Sequence, residues 1–516
     1  DAAKRVREQL GRQIGHAGQG TGSKADIFDE KTLMTYRVSA DDDGSGGSLV
    51  RIDVDPIAVN AKASYAKMIL GGSVAFGVVT LLTFGFSVPL LGLVDTAVIG
   101  NVGNIADLGA IALGALIFSF VYWSFGFLRM STTGFVAQAV GAGKPVDVRA
   151  ALGRAWLLAL LLGVLLIALQ LVIQRLAFLL LSGSEAVESA ARAYFTVRIW
   201  GAPATLSNFV LMGLLIGMGK SRQLLLFQLF LNGMNMLLDI WFAGFLGLGA
   251  TGIAIGTVVA EWLTAIIAGY VVVAQLRASC GEREPFWPKE AIFNREQILR
   301  MLSSNFDIML RTLLLVFSFA FFTNQSARFG DDVLAANHIL LQLISFAAFF
   351  LDGFAFVTEA EAGKALGGRN REAFVRAVKN ATILAAITAL VLGAGLLLVA
   401  DSVVSALTDI AEVRVMAAGL SWLAAIYIIC SFPAFQLDGI YIGVSYTRQM
   451  RQGAIYSLAV FLIACWWLVG ELAVLGLWWA MIIYVLARAA ALLIYFPSLL
   501  KRFDDEVSAA CGQIQG

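Results

Sequence analysis

A few acidic and amide side chains lie inside long apolar stretches of this 516-residue chain, where an ionisable group is costly. Asp95 lies in Leu-Leu-Gly-Leu-Val-Asp-Thr-Ala-Val-Ile-Gly, six residues after Pro89, with no basic residue within two helical turns. Loss of solvation favours the protonated form of such a carboxyl, so Asp95 is a candidate proton carrier. We expect Pro89 to act as a hinge, because proline removes a backbone hydrogen bond. The alternative for Asp95 is a carboxyl hydrogen-bonded for packing alone.

A second polar group follows later in the first half of the chain. Asn232, Asn235 and Asp239 are spaced i, i+3 and i+7, which places them on one face of a helix. A tight, glycine-rich turn leads into the next apolar run and brings Thr257 to the depth of Asp239, and Glu261 to the depth of Asn235. These oxygen-bearing side chains predict a binding site for a proton or Na⁺. Hydrogen bonding between helices for packing alone is the alternative.

The second half carries its own intramembrane charges. Asp307 and Arg311 are spaced i, i+4, so we expect them to form a structural ion pair. Arg129, in the first half, is a candidate partner for an acid of the second half. Three such acids lie toward the basic ends of their helices: Asp352, Glu359 and Asp438. We assign Asp352 and Asp438, with Asn208, Asn232 and Glu261, as candidates for lining a substrate cavity.

Composition restricts the class of protein. Hydrophobic residues make up 59% of the chain and charged residues only 14%, too few to cover the surface of a soluble protein of this length. The net charge of +1 argues against a nucleic-acid partner. The two histidines and four scattered cysteines show no metal-site or disulfide spacing, and no catalytic motif is present. We therefore expect no cofactor and no enzyme activity.

Twelve apolar runs are long enough to cross a bilayer core of about 30 Å as helices. They predict an all-α polytopic membrane protein and lie at 65–99, 105–139, 151–182, 187–218, 222–245, 249–276, 297–327, 332–365, 374–400, 412–444, 452–470 and 473–499. Lys and Arg concentrate in the loops after spans 2, 4, 6, 8 and 10. Such loops stay cytoplasmic, so both termini are predicted to be cytoplasmic.

The chain also repeats itself. Gly-Leu-Leu-Ile-Gly-Met-Gly-Lys-Ser-Arg-Gln (213–223) returns as Gly-Ile-Tyr-Ile-Gly-Val-Ser-Tyr-Thr-Arg-Gln (439–449), an offset of 226 residues. Because each half has six spans, the repeat is parallel, with its pseudo-axis along the membrane normal. Pro203 and Pro433 occupy matching spans and are candidate hinges, although duplication alone also accounts for them.

This organisation predicts five segments. They are a polar flexible tail without a fold (1–62, with a linker-like run at 41–47), a first lobe (63–280), an inter-lobe linker (281–296), a second lobe (297–500) and a cytoplasmic tail (501–516).

The chain resembles the multidrug and toxic compound extrusion (MATE) family, in its DinF-like branch. The resemblance covers about residues 63–500 and rests on the segments 90–100, 125–134, 307–313 (Asp-Ile-Met-Leu-Arg-Thr-Leu), 350–356 and 437–443 (Leu-Asp-Gly-Ile-Tyr-Ile-Gly). It implies a V-shaped fold of two lobes around a central cavity. It also implies export of diverse amphipathic, often cationic, small molecules in exchange for H⁺ or Na⁺.

The resemblance assigns roles to residues as well. It makes Asp95 the protonation site and matches Asn235, Asp239 and Thr257 to the family's coupling residues, with Asn208 the nearest candidate for a further asparagine. We expect a monomer in the bacterial inner membrane. A plastid membrane is the alternative location, and a lipid or lipid-linked saccharide flippase is the alternative function.

Overall fold

The structure is a computed structural model that describes residues 24–29, 34–42, 48–55, 105–180, 184–278, 280, 285–501 and 503. The chain divides into two compact units, Asp1–Ala75 and Phe76–Gly516. Among the described residues, the first unit contains strands and the second contains helices. The predicted span 1, with Pro89 and Asp95, lies outside the described residues.

The first unit contains a three-stranded antiparallel sheet in the order β1-β2-β3. Its strands are β1 (Lys24–Asp29), β2 (Met34–Asp42) and β3 (Ser48–Asp55). The expectation that this tail has no fold does not hold here, and β2 extends into the predicted linker. Apolar residues alternate with polar ones through 34–40 and 50–54, a period typical of strands that the polar composition obscured. The register places Val38 opposite Ile52, so the apolar positions of neighbouring strands match.

In the described part of the second unit, ten helical stretches are long and apolar enough to cross a membrane. The last holds two predicted spans, because Ala473 has φ 49° and ψ −124° and interrupts the helix. Spans 2 to 12 are thus confirmed as helices. In order they are Ala106–Gly141, Pro145–Ala168, Glu185–Met218, Ser221–Phe245, Gly249–Ala278, Arg295–Ala327, Asp331–Gly367, Arg371–Leu407, Ala411–Gly443 and, for spans 11 and 12 together, Thr447–Lys501.

Two of these spans are broken into shorter helices. Span 2 comprises Ile105–Ser124 and Phe127–Gly141. Span 4 is interrupted by a 3₁₀ turn, Ile199–Gly201, next to Pro203, whose ring and missing N–H disfavour a continuous α-helix. Pro433, in contrast, lies inside one helix of span 10. The two prolines therefore differ in local structure, and their role as hinges stays a prediction.

Two large clusters of buried apolar side chains divide the spans into two lobes. One cluster draws mainly on residues 110–276 of spans 2 to 6, with a few residues of spans 7 and 8. The other draws on residues 322–503 of spans 7 to 12. The two clusters thus draw mainly on different halves of the described chain, and the lobe boundaries stay a prediction.

Close contacts between helix backbones repeat at the sequence offset. A Cβ atom on Gly213 of span 4 would collide with the carbonyl oxygen of Arg129 in span 2. A Cβ atom on Gly439 of span 10 would collide with the carbonyl oxygen of Ala355 in span 8. Both residues of the second contact lie 226 positions after those of the first. The two lobes thus pack their corresponding helices in the same way, through small residues that let membrane helices approach closely.

These contacts predict the effect of one added methyl group. Gly439→Ala forces span 10 away from span 8 and should lower the free energy of unfolding by about 1–3 kcal/mol, as overpacking does. The control is Gly395→Ala in span 9, where a Cβ atom meets nothing within 4 Å. Thermal unfolding of both variants in one detergent measures the difference, and equal loss of stability in both would contradict this packing.

Candidate functional site

Spans 5 and 6 bring together three of the predicted coupling residues. Asn235 Nδ2 donates to Asp239 Oδ2 at 2.7 Å and lies 3.1 Å from Thr257 Oγ1. Asp239 is fully buried, and Asn235 is 3% exposed. We call these three residues the coupling cluster. Its members come from two helices, as the folded-back hairpin predicted, and the cluster is centred on a neutral amide.

Local backbone features position Asp239 in this cluster. A π-helix, Ile240–Phe245, begins directly after it, and such segments occur frequently at functional sites. On the facing span, Gly256 lies so close that an added Cβ atom would collide with the Asp239 carboxylate. The carboxylate therefore occupies space that any larger residue at position 256 would fill.

Glu261 lies elsewhere than we expected. The sequence placed it in one layer with Asn235, but its carboxylate accepts two hydrogen bonds from Arg198, at 2.6 and 2.8 Å. Thr205 donates to the same carboxylate at 2.7 Å. The arginine of span 4 thus neutralises Glu261, and the role of Glu261 in lining a substrate cavity stays a prediction. Asn208 donates to the Glu261 backbone oxygen at 3.1 Å and thus ties spans 4 and 6 together.

Arg198 is a buried charged residue that our sequence analysis missed. Its guanidinium carbon lies 5.3 and 5.4 Å from the ring centroids of Phe118 and Tyr122. The residue is 7% exposed. The signal was available, because an arginine deep in an apolar run requires a carboxylate partner, and Glu261 is an acid in another apolar run of the same half.

An ion pair bridges the two lobes. Arg129 in span 2 donates to Glu359 in span 8 through both terminal nitrogens, at 3.0 and 3.4 Å. Its guanidinium also stacks over Phe356, 4.3 Å from the ring centroid. The prediction that Arg129 pairs with an acid of the second half is confirmed.

The second lobe contains a different charge network from the one we expected. Asp307 and Arg311 do not pair with each other, although they are one turn apart. Asp307 accepts from Arg451 at 2.6 Å, and Arg311 donates to Asp438. Asp438 accepts a further hydrogen bond from Arg488 at 2.7 Å. The predicted pair is wrong, because neighbouring helices offer each side chain a closer partner than its own helix does.

Asp352 is the predicted cavity residue for which the described part of the chain offers no direct partner. Within the part of the chain that the structure describes, its carboxylate forms no hydrogen bond or ion pair. It interacts electrostatically with Arg129 and Arg311, which lie on different lobes. It also lies two turns before Glu359 on the same helix face. Asp352 is thus within electrostatic range of two arginines that are already paired with other acids.

The lobes meet where spans 2 and 8 end, next to the loops rich in Lys and Arg. A Cβ atom on Gly141 would collide with the carbonyl oxygen of Lys364, and one on Gly367 with that of Gln138. Each residue of one contact lies 226 positions from its counterpart in the other, so the contact is nearly two-fold symmetric. Gln138 Nε2 also lies 2.9 Å from Ser445 Oγ. We call this region the lobe junction.

These features define a multi-pass membrane protein built from two repeated helical lobes. The repeat is parallel, because corresponding ends of both halves meet at the lobe junction.

Comparison with known proteins agrees with this class. The MatE family model matches residues 81–241 and 307–468, two segments whose starts are also 226 residues apart. The chain is 35% identical to DNA damage-inducible protein F of Escherichia coli over 79% of its length and 87% of that protein. It is 26% identical to a probable multidrug resistance protein NorM of Synechococcus, over 75% of this chain and 83% of that one. The chain belongs to the MatE family.

The fold also matches a solved structure described as the outward-facing conformation of a multidrug resistance MATE family transporter. The TM-score is 0.74 and the identity 19%, covering 84% of this chain and 96% of that one. Members of the family are transporters and not enzymes, so this chain is a transporter.

The buried pair in the first lobe gives a direct test of the revised site. Glu261→Gln leaves Arg198 buried without its carboxylate and should lower stability by about 3–5 kcal/mol. Adding Arg198→Met should recover most of that loss, because it removes the uncompensated charge.

The matched control is Glu188→Gln, which breaks the exposed pair with Arg192 at 3.6 Å and should change stability by less than about 1 kcal/mol. Thermal unfolding measures all three variants. A Glu261→Gln protein as stable as the control would show that the buried pair has no structural role.

Proposed function

We propose that this protein is a secondary antiporter that exports diverse amphipathic, often cationic, small molecules in exchange for H⁺ or Na⁺. The coupling cluster is the observation that carries this proposal. Glu261, Glu359, Asp307 and Asp438 are held by arginines, whereas Asp239 accepts a hydrogen bond from the neutral Asn235 amide. An acid held by an amide keeps a hydrogen-bond partner whether or not it carries a proton. Membership of the MatE family supports the same conclusion.

The coupling requires an ion site and a substrate site, and binding at one must weaken binding at the other. A proton or Na⁺ bound at the coupling cluster neutralises Asp239. The Asp239 carboxylate is then no longer a counter-charge for a cationic substrate. By linkage, the substrate must weaken ion binding by the same factor. Asp95, predicted to take up protons in span 1, belongs to the same lobe and would share this role.

The charge distribution supports an orientation in which the lobe junction faces the cytoplasm. Lys144 follows span 2, and Lys364 lies at the end of span 8, both on the side of the lobe junction. Cationic loops remain in the cytoplasm. In this orientation the structure has its lobes in contact on the cytoplasmic side. The similarity to an Escherichia coli protein supports the bacterial inner membrane, with both termini inside.

The flippase alternative predicts a cationic cavity between the lobes for a lipid phosphate. The buried arginines Arg129 and Arg311 are each paired with an acid, Arg129 with Glu359 and Arg311 with Asp438. Their charges are therefore compensated. This favours the exporter.

Transport by purified protein tests the proposal. In proteoliposomes with a pH gradient or a Na⁺ gradient imposed one at a time, one gradient should drive uptake of a fluorescent lipophilic cation. Asp239→Asn should abolish this uphill accumulation, because the cluster can no longer exchange an ion. Asp332→Asn, at the exposed start of span 8, is the control and should transport normally. Full coupled transport by Asp239→Asn, or uptake without accumulation in the wild type, would contradict antiport through this cluster.

Alternating access makes a second prediction at the lobe junction. Cysteines at Gln138 and Ser445, whose side chains are in contact, should be joined by a short bis-maleimide in a background without the native cysteines. The cross-link holds the cytoplasmic ends together and should stop transport, whereas each single cysteine should retain activity after the same treatment. Undiminished transport by the fully cross-linked protein would show that the junction does not open.

A further inference from the structure

The polar face of span 5 continues beyond the coupling cluster toward the lobe-junction end of the helix. Gln228 and Asn232 precede Asn235 and Asp239 at spacings of four, three and four residues, which places all four on one helix face. All four are buried, and the exposed fractions of Gln228 and Asn232 are 6% and 4%. At a rise of 1.5 Å per residue, this face extends about 16 Å from Asp239 to Gln228. We call Gln228 and Asn232 the amide row.

Span 6 contacts both ends of this part of span 5. Near the coupling cluster, a Cβ atom on Gly256 would collide with the Asp239 carboxylate. At the other end, Lys220 Nζ donates to Gln275 Oε1 at 2.8 Å. Lys220 lies nineteen residues before Asp239, and Gln275 lies nineteen residues after Gly256, so the two helices keep a regular antiparallel register. The amide row therefore lies between the coupling cluster and the end of span 5 next to the lobe junction.

The corresponding face of the second lobe is apolar. At an offset of 226 residues, the four polar residues of this face correspond to Ala454, Leu458, Phe461 and Cys465. Three of these four are buried as well. Helix packing at these positions is thus satisfied by side chains without an amide or a charge. The amide row of the first lobe therefore serves something other than the packing that the two lobes share.

Gln228 carries a buried acceptor without a donor. Its side-chain oxygen is shielded from solvent and accepts no hydrogen bond within the described part of the chain. Such a group is costly in a protein interior, and an ordered water or an ion is one way to satisfy it. Amide oxygens suit both partners, because hard cations prefer oxygen ligands. Polar residues inside a membrane commonly mark the paths of ions.

We propose that the amide row is the route by which the coupling ion passes between Asp239 and the cytoplasm. When the route is open, Gln228 and Asn232 line a narrow hydrated path and coordinate water or Na⁺ through their amide groups. A proton crosses along the water molecules, because an amide side chain has no group that ionises near neutral pH. This inference rests on the proposed function, since it gives a path to the ion site proposed there.

The route is closed at its cytoplasmic end in this structure. Leu224 lies one turn from Gln228 toward the lobe junction, on the same helix face, and is fully buried. Its apolar side chain separates the amide row from Lys220 at the start of span 5. An antiporter needs such a barrier, because its ion site must be open to one side of the membrane at a time.

The second lobe contacts the turn where span 5 begins. Gly219 forms this turn between spans 4 and 5, with φ 72°. A Cβ atom on Gly219 would collide with Nζ of Lys364, a residue of span 8 that belongs to the lobe junction. When the lobes part, this contact is lost and the start of span 5 is released. Opening of the lobe junction and opening of the route are thereby coupled.

Reaction of single cysteines with a thiol reagent tests the route. In the full-length protein without native cysteines, Asn232→Cys and Gln228→Cys are treated with MTSET, a small cation that does not cross membranes, from either side of sealed vesicles. Both should react from the side on which the exposed Lys144→Cys reacts, because that is the side of the lobe junction. The matched controls Leu458→Cys and Ala454→Cys, at the corresponding positions of the second lobe, should react much more slowly.

Two outcomes of this experiment overturn the proposal. Cysteines in the amide row that react only from the opposite side would show that this face opens outward. Cysteines that are no more reactive than their second-lobe controls would show that the face stays closed to water. The reaction needs no substrate and no gradient, so its result is separate from the success or failure of antiport.

Variants copied from the second lobe measure the role of the route in transport. Asn232→Leu and Gln228→Ala introduce residues that already pack at the corresponding positions, so both variants should unfold at the wild-type temperature. Each should slow coupled uptake about tenfold, because the ion loses a coordinating group along its path. Asn380→Leu, which removes an amide of span 9 outside the route, is the control and should transport at the wild-type rate.

Equilibrium ion binding separates a route from a binding site. Binding of radioactive Na⁺, or proton uptake on pH titration, should be the same in Asn232→Leu as in the wild type, because a path changes rates and not affinities. Asp239→Asn, in contrast, should lose the bound ion. Uptake at the full rate in Asn232→Leu, or a loss of ion binding equal to that in Asp239→Asn, would contradict the route.

Discussion

A charge inside the membrane needs a counter-charge, and this constraint fixes how the helices of this protein are arranged. Arg198 requires Glu261, which holds spans 4 and 6 together in the first lobe. Arg129 requires Glu359, which holds the lobes to each other. In the second lobe Asp438 lies between arginines of spans 7 and 12. Each pair joins separate helices, so charge compensation also specifies which helices are neighbours.

Duplication has preserved the packing but not the chemistry. Gly141, Gly213 and Gly217, which allow close approach, recur at the 226-residue offset, whereas the buried charged residues do not. Arg129 corresponds to Ala355, and Glu359 to Thr133, so the pair that bridges the lobes exists once. The turn after span 8 also differs between the lobes: Arg369, with φ 53°, stands where the first lobe has Gly143. A symmetric scaffold therefore carries asymmetric sites, as the ion coupling that we propose for the first lobe requires.

The sequence predicted the spans and their repeat, because hydrophobic length and small-residue spacing are local properties. It also predicted that a tight hairpin brings the polar side chains of spans 5 and 6 together, but it put Asn235 at the depth of Glu261, whereas Asn235 contacts Thr257. The partners of Asp307 and Glu261 were missed for one reason. Their arginines lie on helices that are not adjacent in sequence, and the rotation of each helix about its axis follows from packing, which no local pattern encodes. The strands of the first unit were missed because the alternation of apolar and polar residues in them is surrounded by charged residues, which made the segment look like a flexible tail.

The ion pair between Arg129 and Glu359 joins the lobes and bears directly on how they can move apart. Separating Arg129 from Glu359 within the membrane would leave two uncompensated charges, at a cost of several kcal/mol for a buried pair. Asp352 lies two turns away on the same helix face and already interacts with Arg129. An arginine that passes from one acid to the other as the spans slide stays compensated throughout. A charge inside the membrane needs a counter-charge. Because span 8 carries two acids on one face, Arg129 can keep a counter-charge while the lobes move.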